Sequence, residues 1–233
     1  MDEKLLERAK NHFEGLVKEQ LARVERMKSA EDWISYQSLK PIVIGMCWGD
    51  GIGPIISQET QRILEYILRE ELDKGKIDFR TIDGLTIENR ARQGKAIPDD
   101  VLEELKKCHV ILKAPTTTPE KGDGWPNIES ANVAMRRYLD LFANVRPVKV
   151  PREGIDWIFF RENTEGAYVL GSQGLQVTDD LAFDFKVITK QGAERIIRMA
   201  FEYARNNGID SLTVVTKANV IKTTDGLFLD TAA

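Results

Sequence analysis

The chain has 233 residues, and its 33 Lys and Arg against 37 Asp and Glu give a net charge of −4. A mildly acidic chain argues against a general nucleic-acid binder, and no apolar run approaches the roughly 20 residues of a membrane span. Two cysteines and two histidines are too few for a disulfide framework or a Cys- or His-rich metal centre. The charged N-terminus lacks a signal peptide's apolar core, so we expect a cytoplasmic protein.

Apolar periodicity predicts one long helix and then alternating strands and helices. Spacings of three and four predict a helix over 2–28, which packs either on its own domain or against another subunit. There follow, in chain order, strand 42–47, turn 49–53, helix 55–74, strand 77–82, a helix from 97, strand 110–112, loop 114–128, helix 129–141, strand 156–160, an irregular segment 166–180, helix 190–207 ending at Gly208, and strand 212–216. This order is typical of an open α/β sheet with right-handed crossovers.

The glycine-rich turn Gly49-Asp50-Gly51-Ile52-Gly53-Pro54 matches neither common phosphate-binding fingerprint. No Gly-Lys-Ser/Thr follows it, and Pro54 stands where the dinucleotide fingerprint needs its third spaced glycine. Taken alone, it predicts a tight strand-to-helix turn with Pro54 near the helix start. The loop at 114–128 follows a predicted strand, where open α/β sheets bind ligands.

Three arginines suggest a site for a di- or tricarboxylate. Arg136 lies on the 129–141 helix, Arg146 follows that helix, and Arg161 ends a strand. Guanidinium groups bind carboxylates bidentately and keep their charge. Ser130 and Asn132, one turn before Arg136, would add neutral hydrogen bonds, unless Ser130 caps the helix. Each arginine judged singly is compatible with an ordinary surface residue.

Two further residues are candidate proton carriers. Tyr168 follows Arg161 by seven residues, and Lys217 ends the strand predicted at 212–216, which we expect to be buried. The alternative from residue types alone is that Tyr168 packs and Lys217 is solvated. Cys47 is expected in the core.

Six segments in order resemble the isocitrate and isopropylmalate dehydrogenase family of β-decarboxylating dehydrogenases. They are Gly49–Pro54, Lys113-Ala-Pro-Thr-Thr-Thr-Pro119, Ser130-Ala-Asn-Val-Ala-Met-Arg136, Asp140-Leu-Phe-Ala-Asn-Val-Arg-Pro147, Phe160-Arg-Glu-Asn-Thr-Glu165 with Tyr168, and Lys217-Ala-Asn219. The resemblance implies the α/β fold of that family, which differs from the Rossmann arrangement. It also implies the first part of a large α/β domain (42–140) and a truncated small dimerisation domain (141–233), with a homodimer as the assembly. The predicted helix makes residues 1–41 an N-terminal helical extension to these domains.

The resemblance also assigns the substrate-binding residues. Arg136, Arg146 and Arg161 match the arginines that bind substrate carboxylates in the family. Ser130 and Asn132 resemble the isocitrate type, because isopropylmalate enzymes place an acidic and an aliphatic residue around that pocket. A buried polar pair would disfavour an isopropyl group, whose presence leaves its hydrogen bonds unmade.

The chemistry and its cofactors are implied in the same way. Tyr168 matches the proton donor, and Lys217 matches the partner acid/base, which in the family usually reaches the neighbouring subunit's site. Thr117 and Thr118 match threonines beside the nicotinamide and the substrate, and Asn219 is assigned to cofactor binding with them. The implied reaction is oxidation of isocitrate by NAD or NADP and loss of CO2, with Mg²⁺ or Mn²⁺ as Lewis acid.

The metal site is expected outside this sequence. Family members bind the metal through aspartates well beyond the Lys217-Ala-Asn219 segment, and residues 224–233 look like a helix that begins without a C-terminal cap. We therefore expect the N-terminal part of an isocitrate dehydrogenase, inactive alone. The alternatives are an isopropylmalate- or homoisocitrate-type dehydrogenase, and a non-catalytic subunit or fragment that pairs with a complete chain.

Overall fold

The computed structural model describes residues 3–29, 34–120, 122–171 and 173–233. The helices there are α1 (Glu3–Lys28), α2 (Gly53–Ile67), α3 (Arg69–Asp73), α4 (Ile87–Gln93), α5 (Asp99–Lys106), α6 (Ala131–Tyr138), α7 (Lys190–Asn206) and α8 (Thr224–Ala232). The strands are β1 (Ile42–Cys47), β2 (Ile77–Ile82), β3 (Val110–Lys113), β4 (Ala143–Val150), β5 (Ile155–Glu162), β6 (Leu175–Thr178) and β7 (Leu181–Phe183). The chain forms two compact units, Asp32–Leu139 and Met1–Glu31 with Asp140–Ala233. We call them the sheet unit and the hairpin unit.

The sheet unit is built on a parallel sheet in the order β2-β1-β3, with Ile42 opposite Ile77 and Ile44 opposite Val110. Helices form the crossovers, as parallel strands require. Its core contains Cys47 and Leu105, both fully buried, and the inner face of α6. Burial raises the pKa of the Cys47 thiol to about 12, which agrees with a core cysteine. The α/β prediction is confirmed.

The hairpin unit contains two antiparallel pairs, β4–β5 and β6–β7. Helix α7 packs against β5 and α8. Its N-cap residue is Thr189, whose hydroxyl accepts the Gly192 N–H at 3.0 Å. Gly208 follows the end of the helix with a φ of +64°, as predicted for a helix-ending glycine.

The long N-terminal helix α1 also belongs to the hairpin unit. Leu16 is buried against Val169 and Leu170, and the Phe13 ring lies 5.6 Å from that of Phe185. Packing of α1 within its own part of the chain is therefore observed around Leu16, while Leu6, Val17 and Leu21 of its apolar stripe are exposed.

The prediction of a strand at 212–216 is wrong. These residues form no ladder with any part of the chain that the structure describes, and Val215 is 84% exposed. An apolar alternating segment becomes a strand only when a neighbour accepts and donates its backbone hydrogen bonds.

Other boundaries also differ from the sequence predictions. The helix predicted at 55–74 divides at Leu68 into α2 and α3, and the helix at 129–141 is shorter at both ends. Helix α4 and strand β4 were not predicted, and the segment expected to be irregular contains β6. Strand β4 is largely exposed and contains Arg, Pro and Lys, so its sequence lacks the apolar periodicity that predicts a strand.

Candidate functional site

The loop at 114–128, which follows β3, carries the two threonines predicted to bind the cofactor, Thr117 and Thr118. We call it the threonine loop. The backbone N–H of Thr117 donates to Asp50 Oδ2 at 2.7 Å, and the Thr117 carbonyl oxygen accepts from Arg90 at 2.7 Å. The backbone N–H and the carbonyl oxygen of Thr117 are therefore both held by side chains from other elements. The Thr118 residue itself is exposed.

Arg90 is the main support of this loop. It is fully buried, and it donates to the carbonyl oxygens of Ala96, Thr117 and Glu129 at 2.8, 2.7 and 3.0 Å. Burial lowers its pKa, and nearby Asp50 opposes that shift. Sequence reasoning missed Arg90. The helix that carries it could have been found from its Thr86 cap and Gly94 end, but no local pattern marks the arginine as buried.

The glycine turn connects β1 to α2, with Pro54 in the first helical turn as predicted. Gly49 has a φ of +66°, and a Cβ there would overlap the Pro115 carbonyl oxygen. The Asp50 N–H also donates to that oxygen at 2.8 Å. The turn thus lies in direct backbone contact with the threonine loop, which explains its need for glycine.

Helix α6 carries the predicted substrate segment. Ser130 occupies its N-cap position, but the side chain makes no capping bond, so side-chain capping is not observed. Its Oγ instead accepts from Thr118 Oγ1 at 3.3 Å. Asn132 is exposed and Arg136 is half-buried. Arg137 pairs with Glu129 at 2.8 Å and is therefore engaged within the unit.

Lys113 adds a cation at the carboxyl end of β3. Its Nζ donates to the Ala114 carbonyl oxygen at 2.8 Å and to Thr116 Oγ1 at 3.0 Å. Burial is the largest cause of its lowered pKa, and the positive charges of Arg90 and Arg136 act in the same direction. The negative charge of Asp50 opposes this shift.

In the hairpin unit, the strand register brings two predicted arginines to one face. Asn144 lies opposite Arg161 and Arg146 opposite Phe159, so Arg146 and Arg161 are diagonal neighbours on one side of the β4–β5 pair. Arg146 Nε donates to Asn144 Oδ1 at 2.9 Å. Both arginines are exposed.

Tyr168 lies beside Arg161. The guanidinium carbon is 5.2 Å from the centroid of the Tyr168 ring, a cation–π arrangement. The two residues line an open pocket of about 250 Å³, together with Glu162, Glu165, Lys186 and Ile188. Tyr168 is 51% exposed, so the expectation that it only packs is not met.

A carboxylate network supports this pocket from behind. Burial raises the pKa of Glu162, whose oxygens accept the Thr164 and Glu165 N–H groups at 2.8 and 2.5 Å. Arg195 donates to Thr164 Oγ1 at 2.8 Å and binds both oxygens of Asp140 at 2.6 and 2.9 Å. The segment between Arg161 and Tyr168 is thus held at several points.

Lys217 is exposed in the unpaired segment, contrary to the buried strand end that we expected. Its position is set by Asp225, which is buried and accepts the Lys217 N–H at 2.9 Å through Oδ2. The other oxygen of Asp225 accepts from Lys186, which lines the Tyr168 pocket. Sequence reasoning missed Asp225, although an acid in the first turn of α8 is a recognisable signal.

The ten predicted site residues divide between the two units. The sheet unit holds Thr117, Thr118, Ser130, Asn132 and Arg136, and the hairpin unit holds Arg146, Arg161, Tyr168, Lys217 and Asn219. Asn219 is exposed in the turn after Lys217. The described ranges contain no group of three or more His, Cys, Asp or Glu side chains placed to hold a metal ion. They also contain no helix long and apolar enough to cross a membrane.

Comparison with known proteins gives one family. The isocitrate/isopropylmalate dehydrogenase family model matches residues 43–233. Homoisocitrate dehydrogenase of Methanocaldococcus jannaschii is 35% identical over 198 residues, which cover 78% of this chain and 54% of that protein. Subunit 2 of the mitochondrial NAD isocitrate dehydrogenase of Schizosaccharomyces pombe is 38% identical, with 81% and 48% covered.

A solved structure agrees with these relatives. The crystal structure of isocitrate dehydrogenase from Methylococcus capsulatus superposes with a TM-score of 0.66 at 32% identity, covering 82% of this chain and 55% of that one. The chain spans about half the length of the curated relatives it matches. The chain therefore belongs to the isocitrate/isopropylmalate dehydrogenase family.

Proposed function

We propose that this chain forms the substrate-binding part of an isocitrate dehydrogenase, which converts isocitrate and NAD(P)⁺ to 2-oxoglutarate, CO2 and NAD(P)H. The observation that carries the proposal is the shared face of Arg146 and Arg161, with the Tyr168 ring beside Arg161. Two exposed guanidinium groups can bind carboxylates bidentately, and a phenol hydroxyl beside them can donate a proton.

Selection of a third carboxylate is assigned to α6. The Ser130 hydroxyl is not used as a helix cap, and Asn132 is exposed one turn before Arg136. These groups can donate hydrogen bonds to a carboxylate, whereas an alkyl group would leave them unpaired. They therefore favour isocitrate over isopropylmalate.

The proton steps are assigned to two side chains of the hairpin unit. Lys217 takes the proton of the substrate hydroxyl, and Tyr168 supplies a proton to the carbon that CO2 leaves. Asp225 holds the backbone of Lys217, while the cation–π contact with Arg161 orients the Tyr168 ring. Orientation of this kind is a large part of what an active site contributes.

The threonine loop fits the nicotinamide cofactor. Its backbone is held by Asp50 and Arg90, and its Thr118 hydroxyl lies in an exposed position, so Thr117 and Thr118 would hold the cofactor amide, with Asn219 as a further contact. The oxidised nicotinamide supplies the hydride acceptor when bound. We assign no metal ligand to the described residues, and the Mg²⁺ or Mn²⁺ ligands are proposed to lie elsewhere in the complete enzyme.

A second candidate substrate is homoisocitrate. It is also a tricarboxylate and is one methylene longer, and the relative from Methanocaldococcus jannaschii is named for it. A methylene difference alters binding by only about 1–3 kcal/mol, so the residues described above fit both acids. We also propose a cytoplasmic homodimer. A non-catalytic subunit that pairs with a complete chain is the alternative.

Calorimetric titration of the chain with isocitrate, homoisocitrate and 3-isopropylmalate tests the substrate. We expect both tricarboxylates to bind and isopropylmalate to bind at least about tenfold more weakly. Arg161→Gln should weaken tricarboxylate binding by about tenfold or more, and Arg152→Gln, at an exposed arginine in the turn between β4 and β5, should leave it unchanged. Equal effects of the two substitutions would remove Arg161 from the site, and preferred binding of isopropylmalate would overturn the assignment. Co-purification with a longer homologous chain would favour the non-catalytic alternative.

A further inference from the structure

One face of helix α1 contacts the chain on both sides of Tyr168. Arg23 reaches Glu165, three residues before the tyrosine, and Leu16 packs on Val169 and Leu170, directly after it. Arg23 and Leu16 are seven residues apart, so they lie two turns apart on the same helix face. Helix α1 precedes the region matched by the family model, whereas Glu165, Val169 and Leu170 lie inside it.

The contact with Glu165 is buried. The Glu165 side chain is 1% exposed and that of Arg23 15% exposed, with 3.0 Å between Nη1 and Oε1. Glu165 also accepts from the Thr189 N–H and hydroxyl at 2.9 and 2.6 Å. A Cβ on Gly192 would overlap this carboxylate, so the start of α7 is shaped around it. Without Arg23, a buried carboxylate would lose its cationic partner, which is costly.

The contact of Leu16 holds the residues that directly follow Tyr168. Val169 and Leu170 are 5% and 4% exposed, and with Leu16 they form a small apolar cluster completed by Phe185 and Val187. His12, one turn before Leu16, contacts the Gln173 carbonyl oxygen through Nε2 at 2.9 Å. Tyr168 itself remains half exposed between the two anchors.

We propose that α1 positions Tyr168 for its reaction, with Arg23 as a positioning residue that acts through Glu165. The proposal rests on the proposed function, because it takes Tyr168 to be the proton donor beside Arg161. Loss of the Arg23 contact frees residues 163–170 and lets the Tyr168 ring leave the Arg161 guanidinium. Helix α1 is thereby part of the site, although it contributes no group to the substrate.

The test compares Arg23→Gln with Arg23→Lys and Arg26→Gln in the 233-residue chain. Arg26 is exposed one turn later on the same helix and serves as the matched control. Arg23 uses only Nη1 in its ion pair, and its buried Nη2 has no hydrogen-bond partner among the described residues, so a lysine can supply the same single contact. The readouts are amide hydrogen exchange of residues 163–170 and the fluorine resonance of 3-fluorotyrosine at position 168, assigned with Tyr168→Phe.

In Arg23→Gln we expect exchange at 163–170 to accelerate at least about tenfold and the position-168 resonance to shift, with β4–β5 unchanged. Arg23→Lys should restore both, and Arg26→Gln should alter neither. Uniform acceleration across the hairpin unit, or an unchanged resonance, would reduce Arg23 to a purely stabilising residue and overturn the proposal. If Arg23→Gln does not fold, Glu165→Gln provides a second comparison, because it removes the charge that pairs with Arg23 and keeps one oxygen acceptor for Thr189.

Isocitrate affinity is measured on the same variants and separates the two proposals. Local loosening with no isocitrate binding by any variant, the unsubstituted chain included, would reject the proposed function and leave standing only that α1 holds the Tyr168 ring beside Arg161. Isocitrate binding without any local change in Arg23→Gln would reject the positioning role alone.

Discussion

The carboxylate of Asp50 accepts a hydrogen bond from the backbone N–H of Thr117 at 2.7 Å, across 67 residues of sequence. Its other oxygen accepts the Ile87 N–H at 2.8 Å, at the start of α4. A single side chain in the glycine turn therefore organises both the threonine loop and the helix that carries Arg90. The turn does not match a phosphate-binding fingerprint. Its observed role is to connect the threonine loop and α4 through Asp50.

The first prediction concerns the backbone contact at this turn. Gly49→Ala should lower the free energy of unfolding by more than about 2 kcal/mol, because the new Cβ overlaps the Pro115 carbonyl and φ is positive. Gly51 has a φ of +58° but no atom within 4 Å of an added Cβ, so Gly51→Ala should cost only about 1 kcal/mol. Urea unfolding measures both. Equal costs would show that backbone conformation, rather than the contact with Pro115, requires glycine at position 49.

The second prediction concerns the buried arginine. Arg90→Met removes the three hydrogen bonds that this buried side chain donates to carbonyl oxygens and should destabilise the protein by about 3 kcal/mol or more. Arg92→Met, at an exposed position on the same helix, should cost less than about 0.5 kcal/mol. Chemical denaturation gives both values. Hydrogen exchange should also show the threonine loop released in the first variant only, and a protected loop there would contradict the role given to Arg90.

The third prediction separates capping from binding at Ser130. Ser130→Ala should cost less than about 0.5 kcal/mol of stability, because its hydroxyl makes no capping bond. Thr189→Ala should cost more than about 1 kcal/mol, because that hydroxyl caps α7 and also donates to Glu165. In calorimetry, Ser130→Ala should reduce the preference for isocitrate over isopropylmalate. A stability loss as large as that of Thr189→Ala would instead indicate a capping role.

The fourth prediction is a pH dependence at Asp225. The hydrogen bond from Lys186, together with that from the Lys217 N–H, holds the pKa of this carboxyl below its ordinary value, although burial opposes the shift. A depressed folded-state pKa means that the stabilisation is present above the ordinary value of about 4 and disappears as pH falls through the lower folded value. The stability difference between the unsubstituted chain and Asp225→Asn should therefore be largest near neutrality and shrink below pH 4.

Urea unfolding at several pH values measures that difference. Asp230→Asn, at an exposed acid of the same helix, is the control and should show little dependence on pH in this range. A difference that grows on acidification would contradict the sign of the Asp225 effect.

Much of the fold followed from local patterns. The β1, β2 and β3 strands and helices α1 and α7 were predicted within a few residues, because each contains a run or a spacing of apolar residues typical of its type of element. The exposed strand β4 and the short helix α4 were missed for the opposite reason, since neither has a strong apolar pattern. The predicted strand at 212–216 had the pattern but lacked a partner.

The candidate site divides in a similar way. The arginines, Tyr168 and Lys217 could be named from residue type and order, because carboxylate binding and proton transfer require those groups. Their supporting residues were not identified. Asp225 and Glu165 are two acidic residues among 37 in the sequence, and their pairing with Lys186 and Arg23 depends on the tertiary structure.

The sequence by itself determined the fold class, through its β/α alternation and six ordered segments. It also supplied the candidate residues for carboxylate binding and proton transfer. Tertiary structure alone decided that Arg90 supports the threonine loop, that Ser130 contacts Thr118 without capping α6, and that Arg23 pairs with Glu165. The physical reason is the separation along the sequence between the groups that interact. Periodicity and residue type are properties of neighbours along the chain, whereas burial and hydrogen bonding depend on groups up to 169 residues apart.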